Sequence, residues 1–213
     1  TVVALLPIIN PLAAAVTFVA ITEGDSAERR REQALKGCCY MVAILVSFLI
    51  GGTFIMSFFG LSIPGLRIAG GILMTGMGLN MLTAHKPAEA GDAEEREAAR
   101  KKVDISFSPL AMPMLSGPGS IAVTLGFTSL ATSWSDYIAL IAGILVVAVV
   151  SYIVLRLSGR IVRLIGPVGL NAVNRIMGFL IMCIGVQFVV NGVLGIATDP
   201  ELLRSIRETL AAH

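Results

Sequence analysis

The chain has 213 residues, of which 55% are hydrophobic and only 14% charged, with a formal net charge of +2. Its mean hydropathy of +0.85 places it in the membrane class rather than among soluble domains. The basic–aromatic pattern of a nucleic-acid binder is absent, and Cys38, Cys39 and Cys183 lie in or beside apolar runs, which argues against a disulfide scaffold.

Charge-free runs occupy residues 1–22, 37–66, 68–84, 105–135, 137–155 and 176–198. A spanning helix needs about 20 apolar residues. Each run can supply one, so an all-α polytopic membrane protein with six spans is predicted. The first run holds Pro7 and Pro11. It lacks the basic start and cleavage site of a secretory signal, and span 1 is expected to continue upstream of Thr1. Gly70, Gly71, Gly76 and Gly78 in span 3, with Gly178 and Gly185 in span 6, read as close helix packing. Met74, Met77 and Met81 are expected in the core. Residues 85–104 form a polar linker, with "KPAEAGDAEEREAARKK" as its solvated part. The fourth run carries Pro109, Pro113 and Pro118, the last inside "SGPGS". Proline removes a backbone donor, and in hydrocarbon a broken backbone persists only where protein or a water-filled cavity satisfies it. The stretch is therefore a loop outside the bilayer or a break within it. Residues 199–213 read as a short amphipathic interfacial helix, with Asp199 at the N-cap and Pro200 at N1.

Charge sets the topology. Arg29, Arg30, Arg31 and Lys36 follow span 1; Lys86, Arg96, Arg100, Lys101 and Lys102 follow span 3; Arg156, Arg160, Arg163 and Arg175 follow span 5. Only Arg67, Arg204 and Arg207 fall on the other side. The positive-inside rule makes the rich side cytoplasmic, with both termini periplasmic.

The linker divides the chain into similar halves. "PLAAAVTF" (Pro11–Phe18) aligns with "PGSIAVTL" (Pro118–Leu125) at an offset of 107 residues, and "RIAGGILM" with "RIMGFLIM" at 108. "GLN" at Asn80 and "GVQ" at Gln187 again give 107. Three spans per half make the second copy inverted, as in many secondary transporters. The predicted organisation is a repeat over residues 1–84, the linker 85–104, an inverted repeat over 105–198 and the segment 199–213. Proline-interrupted segments at matching places in two halves point to a transporter site. The candidate substrate-binding residues are Asn10, Pro11, Thr17, Ser116, Gly117, Pro118, Gly119 and Thr124. Asn80, Gln187, Arg67 and Arg175 are candidates for gating or polar lining.

At "LLPIINPLA", "FGLSIPGLRIAGGIL", "PLAMPMLSGPGSIA" and "IMGFLIMCIGVQFVVNG" the sequence resembles the MarC family of bacterial integral membrane proteins. These motifs recur in order along nearly the whole chain. The resemblance implies a bacterial inner-membrane protein, related to small neutral amino acid transporters and to the LysE-type exporters with their three-plus-three organisation.

No Asp or Glu lies in any of the six runs, which argues against a buried carboxylate relay and against cationic substrates. No His/Cys cluster has metal-ligand spacing, and no nucleophile triad or phosphate loop appears, so neither a metal, a cofactor nor an enzymatic activity is expected. Secondary transport of a small polar solute is the leading reading, a small neutral amino acid being what the resemblance implies. A channel or broader metabolite or drug exporter of the same fold, and a non-transporting membrane scaffold or sensor, are the alternatives. The expected partners are the solute, membrane lipid and, for a coupled transporter, an ion.

Overall fold

The computed structural model describes residues 1–83, 104–128, 131 and 133–199. Most of the polar linker, residues 84–103, and the C-terminal segment from residue 200 lie outside the described residues. Among the described residues every regular element is helical: α1 (Val2–Ile9), α2 (Pro11–Ile21), α3 (Ala27–Phe58), α4 (Ile63–Thr83), α5 (Ser106–Leu115), α6 (Pro118–Thr128), α7 (Trp134–Arg156) and α8 (Ser158–Ala197).

Among the described residues, four stretches are long and apolar enough to cross a bilayer: Val2–Ile21, Ala27–Phe58, Trp134–Arg156 and Val168–Ala197. The pair α5 and α6, bent by 64°, makes a fifth if it is one span. α4 has 21 residues, about 31 Å of helix. Arg67, Thr75, Asn80 and its five glycines leave it less apolar than the others.

Side chains are distributed as a lipid solvent requires. Phe54 is 71% exposed, Ile138 66% and Val149 57%. The buried positions carry small or shape-matched residues instead. On α3 they recur every three or four residues through Ala34, Cys38, Met41, Leu45, Leu49, Gly52 and Met56, one helical face. On α7, Gly143, Val147, Ser151 and Leu155 do the same. These faces close around a core that includes Leu5, Phe18, Met74, Leu115, Ile144 and Ile181.

Glycines set the closest approaches. A Cβ on Gly37 would stand 2.5 Å from Leu110, one on Gly52 2.8 Å from Leu125, and one on Gly70 2.7 Å from Ala122. α5 and α6 therefore lie directly against α3 and α4. The tightest seam joins α4 and α8. A Cβ on Gly71 would stand 2.5 Å from the carbonyl oxygen of Gly185, and one on Gly78 2.5 Å from that of Gly178. Gly192 meets the carbonyl of Pro64 in the same way at 2.8 Å. As α4 residue numbers rise, their α8 partners fall, so the two helices run antiparallel. Such backbone contact is the expected use of small residues between membrane helices. Gly76 differs from the other candidate packing glycines: a Cβ there would meet nothing within 4 Å. Met74 is fully buried, whereas Met77 is 41% exposed and so is not a core residue.

Candidate functional site

Two helix breaks meet inside this bundle. The first is Asn10, in the left-handed conformation with φ 44° and ψ 67°. Asparagine tolerates this region better than other non-glycine residues. It serves both flanking helices. Its N–H donates to the Leu6 carbonyl at 3.0 Å and closes α1. Its Oδ1 accepts from the Ala13 N–H at 3.3 Å and caps α2. Pro11 follows at N1, where the missing N–H removes no intrahelical bond.

The second break is larger. Within α5 the backbone leaves helical geometry at Ser108 and Met112, the residues before Pro109 and Pro113. A residue preceding proline is pushed toward extended conformations. The surviving hydrogen bonds skip five residues: Leu110 N–H to Ile105 O at 3.1 Å and Ser116 N–H to Ala111 O at 2.8 Å. The chain restarts with Pro118 at the head of α6. The Gly117 carbonyl accepts both the Ser120 hydroxyl at 2.9 Å and the Ile121 N–H at 3.1 Å. "SGPGS" is thus a break between two packed helical segments.

The breaks are neighbours in space. A Cβ on Gly119, one residue into α6, would stand 3.2 Å from Ile8, near the end of α1, and 3.3 Å from Met74 of α4. At the breaks two buried polar atoms lack a hydrogen-bond partner, Asn10 Nδ2 and Ser116 Oγ; Ser106 Oγ, at the Asp104 end of α5, is a third. Asn10 is 7% exposed, and Ser106 and Ser116 are fully buried. Leaving such a group unpaired costs about 1–3 kcal/mol. The first-turn amides of α2 and α6 also have no carbonyl of their own helix to meet, and both helices present the positive end of their dipole at the break. The arrangement offers donors to an anionic group and supplies no charged side chain.

The other candidates scatter. Thr124 is fully buried, but its hydroxyl is taken by the Ser120 carbonyl at 2.7 Å. Thr17 is half-buried on α2, Gly117 is half-buried and Pro118 is exposed. Asn80 lies on an exposed face of α4, and Gln187, exposed on α8, donates its amide to Asn191 at 2.9 Å. Arg67 sits at the end of the α4–α8 seam near the Pro64–Gly192 contact, and Arg175 near the Gly78–Gly178 contact, so they occupy opposite ends of that pair. Sequence reasoning passed over Ser106. It lies beside Asp104, whose carboxylate accepts its N–H at 2.8 Å, and a polar residue at the edge of a charge-free run was the signal available.

The MarC profile, described as "MarC family integral membrane protein", matches residues 1–197. Relatives share this similarity along their length. The UPF0056 inner membrane protein MarC of Salmonella paratyphi A is 39% identical over 204 residues, covering 91% of this chain and 92% of the relative. The protein of the same name from Citrobacter koseri is 40% identical with the same coverage, and that from Escherichia coli O1:K1 / APEC is 39% identical. No solved structure matches. With the profile spanning both breaks and the α4–α8 seam, the chain belongs to the MarC family of integral membrane proteins.

Proposed function

We propose that this chain is an inner-membrane secondary transporter of a small polar solute, with a small neutral amino acid as substrate. One observation carries the reading: two proline-led half-helices, α2 and α6, begin at adjacent breaks where buried polar atoms of Asn10 and Ser116 lack partners. A zwitterion suits this chemistry. Its carboxylate takes the half-helix amides and Asn10 Nδ2, and its ammonium takes hydroxyl and carbonyl oxygens.

The same reading has six spans in two inverted halves, with α4 as the third span and α5–α6 as one broken span. The α4–α8 seam supports it. An offset of 107 residues carries Gly71 to Gly178 and Gly78 to Gly185. It therefore carries the Gly71–Gly185 contact onto the Gly178–Gly78 contact. A two-fold axis makes contacts in such swapped pairs. The register of 108 carries Gly71 to Phe179 and breaks the match. In this reading the linker is cytoplasmic and both termini are periplasmic.

Purified protein in liposomes, screened for counterflow of labelled neutral amino acids, tests the function. Saturable, gradient-driven uptake of at least one is expected. Absence of uptake across the panel, in liposomes holding monodisperse protein, refutes the substrate class, and strictly downhill flux refutes coupling. Cysteine labelling of the linker from outside intact cells would refute the orientation.

A further inference from the structure

A cavity of about 720 Å³ opens at the end of the bundle where the α2–α3 and α7–α8 turns meet. Five arginines line it. Arg30 and Arg31 come from the start of α3, Arg156 from the last turn of α7, and Arg160 and Arg163 from the start of α8. None of its lining residues belongs to the breaks at Asn10 and Ser116. Phe18 and Leu155 form a buried apolar wall, and Ile153 and Leu157 an exposed apolar lip.

Guanidinium groups stay charged at any physiological pH, so five around one cavity repel one another. Cations at the same end but outside the cavity are neutralised: Arg29 pairs with Asp25 at 3.6 Å, and Lys36 with Glu32 at 2.7 Å and Asp104 at 4.0 Å. Inside, the partners are neutral. Arg31 Nε donates to the Tyr152 hydroxyl at 3.4 Å, and Arg30 lies 6.0 Å from the centre of the Phe18 ring. Among the described residues, no ion pair involves any of the five. The carbonyl end of α7 favours a cation at Arg156. It does nothing for Arg160 and Arg163, which stand near the start of α8, where the helix dipole disfavours positive charge and favours an anion.

We infer that this cavity binds a phosphate-bearing anion, with Arg156, Arg160 and Arg163 gripping the phosphate oxygens and Ile153 and Leu157 meeting apolar carbon. Arginine's planar fork matches phosphate in two-point contact. A lipid headgroup supplies phosphate and hydrocarbon together, and basic pockets between membrane helices at the water boundary take such headgroups. Soluble phosphate shares only the first half of that chemistry.

The test uses the full chain in neutral detergent, titrated with short-chain phosphatidylglycerol, with phosphatidylcholine of the same chain length and with inorganic phosphate, reading thermal midpoint and bound ligand. Phosphatidylglycerol is expected to bind at least tenfold more tightly than phosphatidylcholine. Arg160→Gln/Arg163→Gln should abolish that preference. Arg29→Gln/Lys36→Gln, removing equal charge from the same end outside the cavity, should keep it. All four side chains are exposed, so the variants should remain monodisperse. A response to inorganic phosphate that needs Arg160 and Arg163, without a lipid preference, supports the anion site and assigns it to a soluble ligand. Equal loss in both double variants, or no difference between wild type and Arg160→Gln/Arg163→Gln with either phosphate source, overturns the inference.

Discussion

Replacing Gly71 by alanine should damage the fold, whereas the same change five residues later at Gly76 should not. Both positions lie on α4, and both gain the same helix propensity, about 1 kcal/mol in favour of alanine. The difference is what the new methyl meets. At Gly71 it would stand 2.5 Å from the Gly185 carbonyl oxygen and 2.8 Å from the Val189 amide nitrogen. These are backbone atoms of a long helix, so relief requires α4 and α8 to separate. Overpacking a tight contact costs about 1–3 kcal/mol and occasionally more. The backbone contact places Gly71 at or beyond the upper end, leaving a net loss of about 2 kcal/mol or more after the propensity gain. At roughly 2–4 °C per kcal/mol for a chain of this size, the midpoint should fall by about 4–8 °C. At Gly76 nothing lies within 4 Å, so only the propensity gain remains and the midpoint should hold or rise slightly. Gly78→Ala should behave like Gly71→Ala, since its methyl would stand 2.5 Å from Gly178 O. Thermal unfolding in one detergent, with monodispersity recorded for each variant, measures all three. If Gly71→Ala and Gly76→Ala melt together, the α4–α8 seam is looser than described and the argument for swapped glycine contacts fails with it.

Gly119→Leu should fold yet lose transport: its neighbours at 3.2 and 3.3 Å are side-chain atoms of Ile8 and Met74, able to shift, but the added bulk fills the space between the two breaks. Normal uptake by that variant, once a substrate is found, would make the breaks structural kinks. Asn10→Ala should lose about 1 kcal/mol from the missing cap, with a further penalty for the left-handed backbone, and Asn10→Gly should lose clearly less. A melting comparison in which alanine equals glycine would sink this account. Ser106, whose N–H donates to the carboxylate at 2.8 Å, holds the Asp104 carboxyl below its ordinary value. A depressed pKa stabilises the fold above the unfolded value and is lost as pH falls through the folded one. Asp104→Asn should therefore flatten a small acid-side decline in melting temperature, and an unchanged pH profile would contradict it.

Much of this protein was legible from its sequence because the bilayer imposes simple constraints. Long charge-free runs must be helices, since no water is available to satisfy an open backbone. Pro11 and Pro118 each begin a new helix as their chemistry requires. The offset of 107 residues was visible in two motif pairs. What the sequence could not supply was which parts touch. Only the tertiary structure brought Gly119 against Ile8 and made the two breaks neighbours. It sent Asn80 and Gln187 to exposed faces, because a polar residue in an apolar run faces wherever its helix is rotated, and that rotation is decided by glycine contacts on the opposite side. It gathered arginines from two separate turns around one cavity. Linear charge counting assigns those residues to a side of the membrane, but their convergence depends on how α3, α7 and α8 pack.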